Sequence, residues 1–383
     1  MLFSEFKERT DFFEIKIAKG LRNYINRRTE GKSQTHYSKN GDKKLEVLEE
    51  KDLRGPFSFL FPERDKIEAF LKRWPDSTAV FRIISSEKEI LSPSGERVEK
   101  SEYLETFKVS VKKGNNIFED SDFSFEKGGI DFSKVEKTFS LYLEKSKNCL
   151  KVKNGKYPVL FRGQAAGLII HEFFGHLLEA DLAEKSKSPF KKENFGKLIV
   201  NKNISIEDYS SLPDDEGFFE EKMVLIEEGV LKGFLSDFSF SLKDFGKAGR
   251  GRRESFRTVP LPRQNLLILK ALKTKEEKTL LNEIKEGFFV ERIKSGALNF
   301  ETLDYEFLVT AAYYIRDGEI AGFTDNFLIK GNFLSDFLKI SEFSSSVYCN
   351  GYEGVCTKNG QTVRVGYKTP SFIAENILIK SIV

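Results

Sequence analysis

The stretch Gly163-Gln164-Ala165-Ala166-Gly167-Leu168-Ile169-Ile170-His171-Glu172-Phe173-Phe174-Gly175-His176-Leu177-Leu178-Glu179-Ala180-Asp181 sets two of the chain's 3 histidines beside a glutamate inside an apolar run. Apolar residues fill nearly every position from Ala165 to Ile170 and again from Phe173 to Leu178, leaving no polar face to meet water. Such a helix belongs in a core, and the rest of the fold has to be built around it. Two imidazoles and a carboxylate are costly to bury without partners, and a divalent cation, usually zinc, satisfies all of them.

The spacing constrains the backbone. In the zinc-protease signature His-Glu-x-x-His the two ligands sit at i and i+4, ~40° apart around a helix that advances ~100° per residue. Here the pattern is His-Glu-x-x-x-His, and rings at i and i+5 diverge by ~140° on a regular α-helix. Both face one ion only if the turn between them widens, so the sequence predicts a π-bulge with Gly175 helping to absorb it. The plainer alternative is a pair of satisfied core histidines. His36, in a polar tract between Ser33 and Asp42, reads as a solvated side chain and not as a third ligand.

A chain of 383 residues, 39% hydrophobic and 32% charged, can bury a sizeable core divided among two or three domains. The net charge of +3 is the small remainder of 62 basic and 59 acidic residues without a long single-sign block, which argues against a dedicated nucleic-acid surface. The first residues, Met1 to Arg9, lack the apolar core of a signal peptide, and no run approaches ~18 apolar residues, so the expectation is a cytoplasmic protein with no membrane partner. Three cysteines, Cys149, Cys349 and Cys356, cannot make a disulfide framework for this length; each is a free thiol, a ligand or packing.

The expected fold class is α+β. Residues 1–150 read as an N-terminal mixed α/β domain, with a strand pair between Asp11 and Tyr37 broken at Gly20, strands at Ala79–Ser85 and Tyr103–Val111, an amphipathic helix from Glu63 to Trp74, and a helix from Asp131 to Lys147 with Ser133 as its cap. The polar segment 145–156 marks the boundary. Residues 151–383 read as a largely antiparallel β domain packed around the buried zinc-ligand helix, entered through the strand Tyr157–Phe161. Hairpins are expected from Met223 to Leu235 and from Phe307 to Ile320, the latter turning at Arg316-Asp317-Gly318.

Near the C-terminus, Glu353-Gly354-Val355-Cys356-Thr357-Lys358-Asn359-Gly360-Gln361 sets a cysteine between small residues. A thiolate completes a two-histidine site and leaves one position open, as catalytic zinc requires. By chemistry alone Cys149 and Cys349 compete with Cys356 for that role.

Several ordered blocks resemble the TldD/PmbA group of metallopeptidases, once described as modulators of DNA gyrase. Tyr157 to Asp181 is similar to that family's His-Glu-x-x-x-His signature. Asp214-Asp215-Glu216-Gly217, the hairpin Val224 to Phe234, Gly249-Arg250-Gly251-Arg252-Arg253-Glu254-Ser255 with Pro260-Leu261-Pro262-Arg263, Ser295-Gly296 and Gly354 to Gln361 follow in the family's order. The likeness runs from about Lys156 to the end and is weak over the first 150 residues. Thr357 departs from the usual glycine, and Gln264 with Leu266 replaces a Met-Thr-Asn run.

The resemblance selects Cys356 as third ligand and implies one zinc per chain held by His171, His176 and Cys356, a similar donor set also admitting iron or cobalt. Glu172 is then the general base toward a metal-activated water, and the reaction is hydrolysis of peptide bonds. Glu179 and Asp181 are candidates to orient the imidazoles, or are charges at the helix end. Arg252, Arg253 and Arg257 are candidates to clamp a substrate carboxylate or oxyanion, or form structural ion pairs. The family also implies unfolded or unstructured peptide substrates and a dimer, either with itself or with a PmbA/TldE-like subunit. The rival reading is a non-catalytic scaffold or regulatory subunit of such a complex with a structural metal; substrate and cleavage preference are not written in the sequence.

Overall fold

The computed structural model describes residues 2–18, 21–54, 64–351 and 354–382. Gly20 and Glu63, expected as a strand break and a helix start, lie outside these residues, as does Glu353. The architecture is mixed α/β and dominated by strands.

Six antiparallel strands form the N-terminal sheet, in the order Lys43–Arg54, Leu21–Tyr37, Leu2–Ala18, Thr78–Leu91, Arg97–Lys113, Asn116–Ser124. Alternation along them points Phe13, Ile15 and Ile17, then Phe81 and Ile83, then Phe107, Val109 and Val111 to one apolar face. The helices Arg64–Arg73 and Phe132–Lys145 join the same cluster through Ile67, Phe70, Val135 and Phe139. Phe70 meets Phe107 edge-on at 5.6 Å, and Trp74 meets Phe139 at 5.8 Å. The cap of the second helix is Asp131 and not Ser133: Asp131 accepts from Lys134 N at 3.0 Å, while the Ser133 hydroxyl donates to Asp131. The strands run well beyond the predicted segments. His36 lies within one of them, with Nε2 3.3 Å from Glu46 Oε2.

The C-terminal sheet has twelve strands, and its spine is the long strand Gln361–Ser381. Most pairings are antiparallel; Leu266–Ala271 runs parallel to the spine, and Gly155–Phe161 runs parallel to Glu286–Leu298. Two of its hairpins, both expected from the sequence, turn on paired left-handed residues that suit the twist of the strands. They are Glu228-Gly229 (φ 47° and 80°) and Asp317-Gly318 (φ 50° and 77°). After the first, the return strand is only Val230–Leu231, shorter than expected.

Against this sheet lies the helical segment from Gly163, with Ala165, Ala166, Ile169, Phe173, Leu177 and Leu178 all without solvent contact. Phe173 anchors an aromatic group, 4.5 Å from Phe337, 5.0 Å from Phe333 and 5.3 Å from Tyr305 between ring centres. The N-terminal cluster also takes in Leu160, Phe289, Tyr313, Phe323 and Ile373 from one side of the C-terminal sheet, while the site helix packs in a second apolar cluster. No helix among the described residues is long and apolar enough to cross a membrane.

Candidate metal centre

The strand Gly155–Phe161 ends at Arg162, Gly163 takes φ 56°, and the chain then winds as an α-helix to Ile170. From His171 to Gly175 it becomes a π-helix, the widened turn that the i, i+5 spacing demands. His176 follows, and its ring centre lies 4.7 Å from that of His171. The helix stops at Leu178 because Leu235 N–H donates to Leu178 O at 2.8 Å and Leu235 O accepts from Ala180 N at 3.0 Å.

Gly175 lies at the close approach in this turn. A Cβ there would stand 2.0 Å from Gln264 Oε1 and 3.5 Å from His171 Nδ1, so a side chain larger than hydrogen collides with the Gln264 amide.

Cys356 arrives from the far end of the chain on the strand Gly354–Lys358, which pairs antiparallel with the start of the spine, Cys356 opposite Val363. Its turn is Asn359-Gly360, with φ 51° and 75°. That dipeptide, between alternating residues, is a hairpin signal the sequence reading passed over. Cys356 Sγ lies 3.1 Å from His176 Nε2. One donor atom each from His171, His176 and Cys356 falls within 4.8 Å of the others, and all three side chains are buried. Glu172 is partly open to solvent beside them, with Oε1 3.8 Å from His171 Nε2.

Burial opposes charge at His171, His176 and Cys356, yet interactions with neighbouring groups outweigh it. The Cys356 thiol is brought down to about 5 by the charges of His171 and His176 and by their hydrogen bonds, although burial raises it. His176 is held well above the usual imidazole range against burial by the Glu179 carboxylate and the Cys356 sulfur. A thiolate facing two imidazoles is a site charged for a cation, and a divalent ion would displace the imidazole protons. Two nitrogen donors and one sulfur donor within 4.8 Å of one another fit a single tetrahedral zinc with ligand bonds of ~2.0–2.3 Å.

Behind the donors runs a buried ionic chain. His176 Nδ1 lies 2.9 Å from Glu179 Oε2. Lys358 Nζ donates to Glu179 Oε2 at 2.8 Å, to Asp181 Oδ1 at 2.7 Å and to Pro262 O at 2.8 Å. Arg263, without solvent contact, donates to the carbonyls of Cys356 and Gln361 and stands 3.8 Å from Glu179. Glu179 is held well below the usual carboxylate range: burial pushes it up, and the Lys358 and His176 charges overcome that. Burial instead raises Asp181. Phe300 meets the His176 ring edge-on at 5.5 Å. Sequence reasoning assigned no role to Lys358, Arg263 or Phe300.

The three arginines are dispersed. Arg252 donates to the carbonyls of Gln264 at 2.5 Å and Arg364 at 2.6 Å, tying together the strands behind the site. Arg253 is buried against the N-terminal sheet, 3.3 Å from Thr35 Oγ1 and over the Phe6 ring. Arg257 pairs with Glu50 at the surface.

Residues 154–381 match the family described as PmbA/TldA metallopeptidase C-terminal domain. The chain belongs to the PmbA/TldD family. It is 29% identical over 274 residues to a metalloprotease TldD homolog of Buchnera aphidicola (subsp. Acyrthosiphon pisum), covering 69% of this chain and 56% of that protein. It is 30% identical over 229 residues to a zinc metalloprotease TldD homolog of Saccharolobus solfataricus, covering 57% and 50%. The chain thus spans about half the length of these curated relatives. In fold it is similar to TldE from Thermococcus kodakarensis, with a TM-score of 0.73 at 16% identity over 99% of this chain and 96% of that one.

Proposed function

We propose that this chain is a zinc-dependent peptidase that hydrolyses peptide bonds of unfolded or unstructured peptides, with residues 151–383 as the metallopeptidase domain and residues 1–150 as a separate α+β domain. The observation that carries the reading is the convergence of His171, His176 and Cys356, drawn from a π-turn and a tail hairpin, with a carboxylate beside them. The names of the TldD relatives support the same class.

In this reading His171 and His176 hold the ion as neutral imidazoles and Cys356 as a thiolate. When bound, zinc supplies Lewis acidity, polarising a carbonyl and acidifying water toward neutral pH. Glu172 takes a proton from the attacking water at its carboxylate and passes it to the leaving amine. Glu179 accepts from His176 Nδ1–H and fixes that ring's tautomer, while Lys358 and Arg263 keep Glu179 ionised. Phe300, edge-on to the His176 ring, covers that imidazole from water. We further propose that the chain acts as a dimer, with itself or with a TldE-like subunit, a reading prompted by the TldE-like fold.

The test is elemental analysis of purified wild type, Cys356→Ala and Glu172→Gln, with cleavage of an unstructured peptide followed in the same samples. About one zinc per chain in wild type and Glu172→Gln, metal loss in Cys356→Ala, and cleavage only in wild type is the expected pattern. Cleavage undiminished in Glu172→Gln removes the base assignment, and a metal-free wild type after zinc is supplied removes the hydrolase.

A further inference from the structure

Among the buried polar atoms beside the site that lack a hydrogen-bond partner among the described residues are His171 Nδ1 and Gln264 Oε1. They flank the same small volume over Gly175, where the position of an absent Cβ lies 2.0 Å from Gln264 Oε1 and 3.5 Å from His171 Nδ1. The Gln264 side chain has no solvent contact, so its oxygen cannot be satisfied by bulk water. Its orientation is fixed from the other end, because Gln264 Nε2 donates to Gly366 O at 3.3 Å. With the nitrogen committed to a carbonyl, the oxygen is left as an acceptor bordering the same space over Gly175 as His171 Nδ1, and the two atoms are not hydrogen-bonded to each other in this structure.

We infer that Gln264 is a positioning residue that, once the ion draws His171 into place, accepts a hydrogen bond from His171 Nδ1–H and so holds His171 as the tautomer whose Nε2 lone pair faces the metal. This rests on the zinc reading above. A buried donor and a buried acceptor left unpaired each cost stability, and pairing these two atoms removes both penalties together. The two ligand imidazoles are then braced differently. His176 has an ionised carboxylate behind it, 2.9 Å away, whereas His171 has a neutral amide. A carboxylate makes its histidine the stronger donor, while an amide fixes the ring without adding charge. The arrangement also explains why a glycine closes the π-turn, since any Cβ at 175 would wedge the amide off the ring.

Gln264→Met keeps length and volume and removes the acceptor, while Gln264→Glu keeps an acceptor oxygen. Zinc dissociation constants are measured by chelator competition for wild type and both variants, with the melting temperature of the zinc-free proteins and the 15N tautomer signature of His171 in the zinc-loaded ones. The expected result is 10–100-fold weaker zinc binding in Gln264→Met, with the zinc-free melting temperature little changed and the Nδ1–H signal of His171 lost or shifted, and retention of both in Gln264→Glu. Zinc affinity in Gln264→Met equal to wild type overturns the inference and leaves the zinc site standing. So does an unaltered His171 signal alongside a lowered melting temperature, which would mark Gln264 as packing alone. Wild type that binds no zinc removes the metal reading, and this inference with it.

Discussion

Lys358 Nζ stands 2.8 Å from Glu179 Oε2, the same oxygen that faces His176 Nδ1. The lysine is two residues past Cys356 on the tail hairpin, so one side chain ties the sulfur-bearing strand to the acid behind the second histidine.

Lys358→Met should therefore be costly. It would leave Glu179 and Asp181, both mostly buried, without their shared cation. Removing one partner of a buried ionic group typically costs ~3–5 kcal/mol. Chemical denaturation of the zinc-free protein measures it, and a loss below ~1 kcal/mol would show that Arg263 alone carries the charge balance.

Gly175→Ala tests the π-turn. The new methyl would collide with Gln264 Oε1, which has no space to retreat because Gln264 is fully enclosed. Overpacking of this kind costs ~1–3 kcal/mol, and zinc affinity should fall with it because the displaced amide abuts His171. A variant with unaltered stability and zinc affinity would mean that the turn relaxes freely.

Asp208→Asn tests a second buried pair. Arg250 and Asp208 have no solvent contact, and the guanidinium also donates to the carbonyls of Asp208, Gly249 and Glu220. Losing the carboxylate charge leaves a buried cation held by neutral acceptors alone, an expected loss of ~3–5 kcal/mol. Equal denaturation midpoints for variant and wild type would refute this.

What could be read from the sequence followed from short-range chemistry. The apolar run around two histidines had to be buried, and their spacing had to widen the helix, because both consequences depend on residues within one or two turns. Glu228-Gly229 and Asp317-Gly318 announced their turns for the same reason. The strand Leu21–Tyr37 was underestimated because its middle carries little apolar alternation. Ion pairs to its neighbours hold it in place, Arg27 with Asp52 and Arg28 with Asp11. Arg253 was ambiguous because Ser33 and Thr35, which receive it, lie some 220 residues away in sequence. Cys356 could not be selected from its own surroundings, since nothing local says that the Asn359-Gly360 hairpin folds back onto the helix.

The seam between the sheets should make stability depend on pH. Glu216 accepts from Tyr37 OH of the N-terminal sheet at 2.5 Å and from Phe238 N at 2.7 Å. Burial, then the Asp237 carboxylate, pushes its acid up to about 8, with Asp214 adding to the rise and Lys43 opposing it. Asp214 itself, raised chiefly by burial, lies at about 6. Unfolded, the Glu216 carboxyl ionises near its ordinary 4.5, so between there and 8 the folded chain holds a proton that the unfolded chain has released. Stability from this group is therefore complete below pH 4.5, declines as pH rises toward 8, and is level beyond. Glu216→Gln cannot titrate and should flatten that decline, leaving the smaller slope due to Asp214. Urea midpoints across this range for wild type and variant, with zinc removed, measure the difference. Parallel curves would mean that Glu216 is ionised in the folded protein and that Lys43 neutralises the seam.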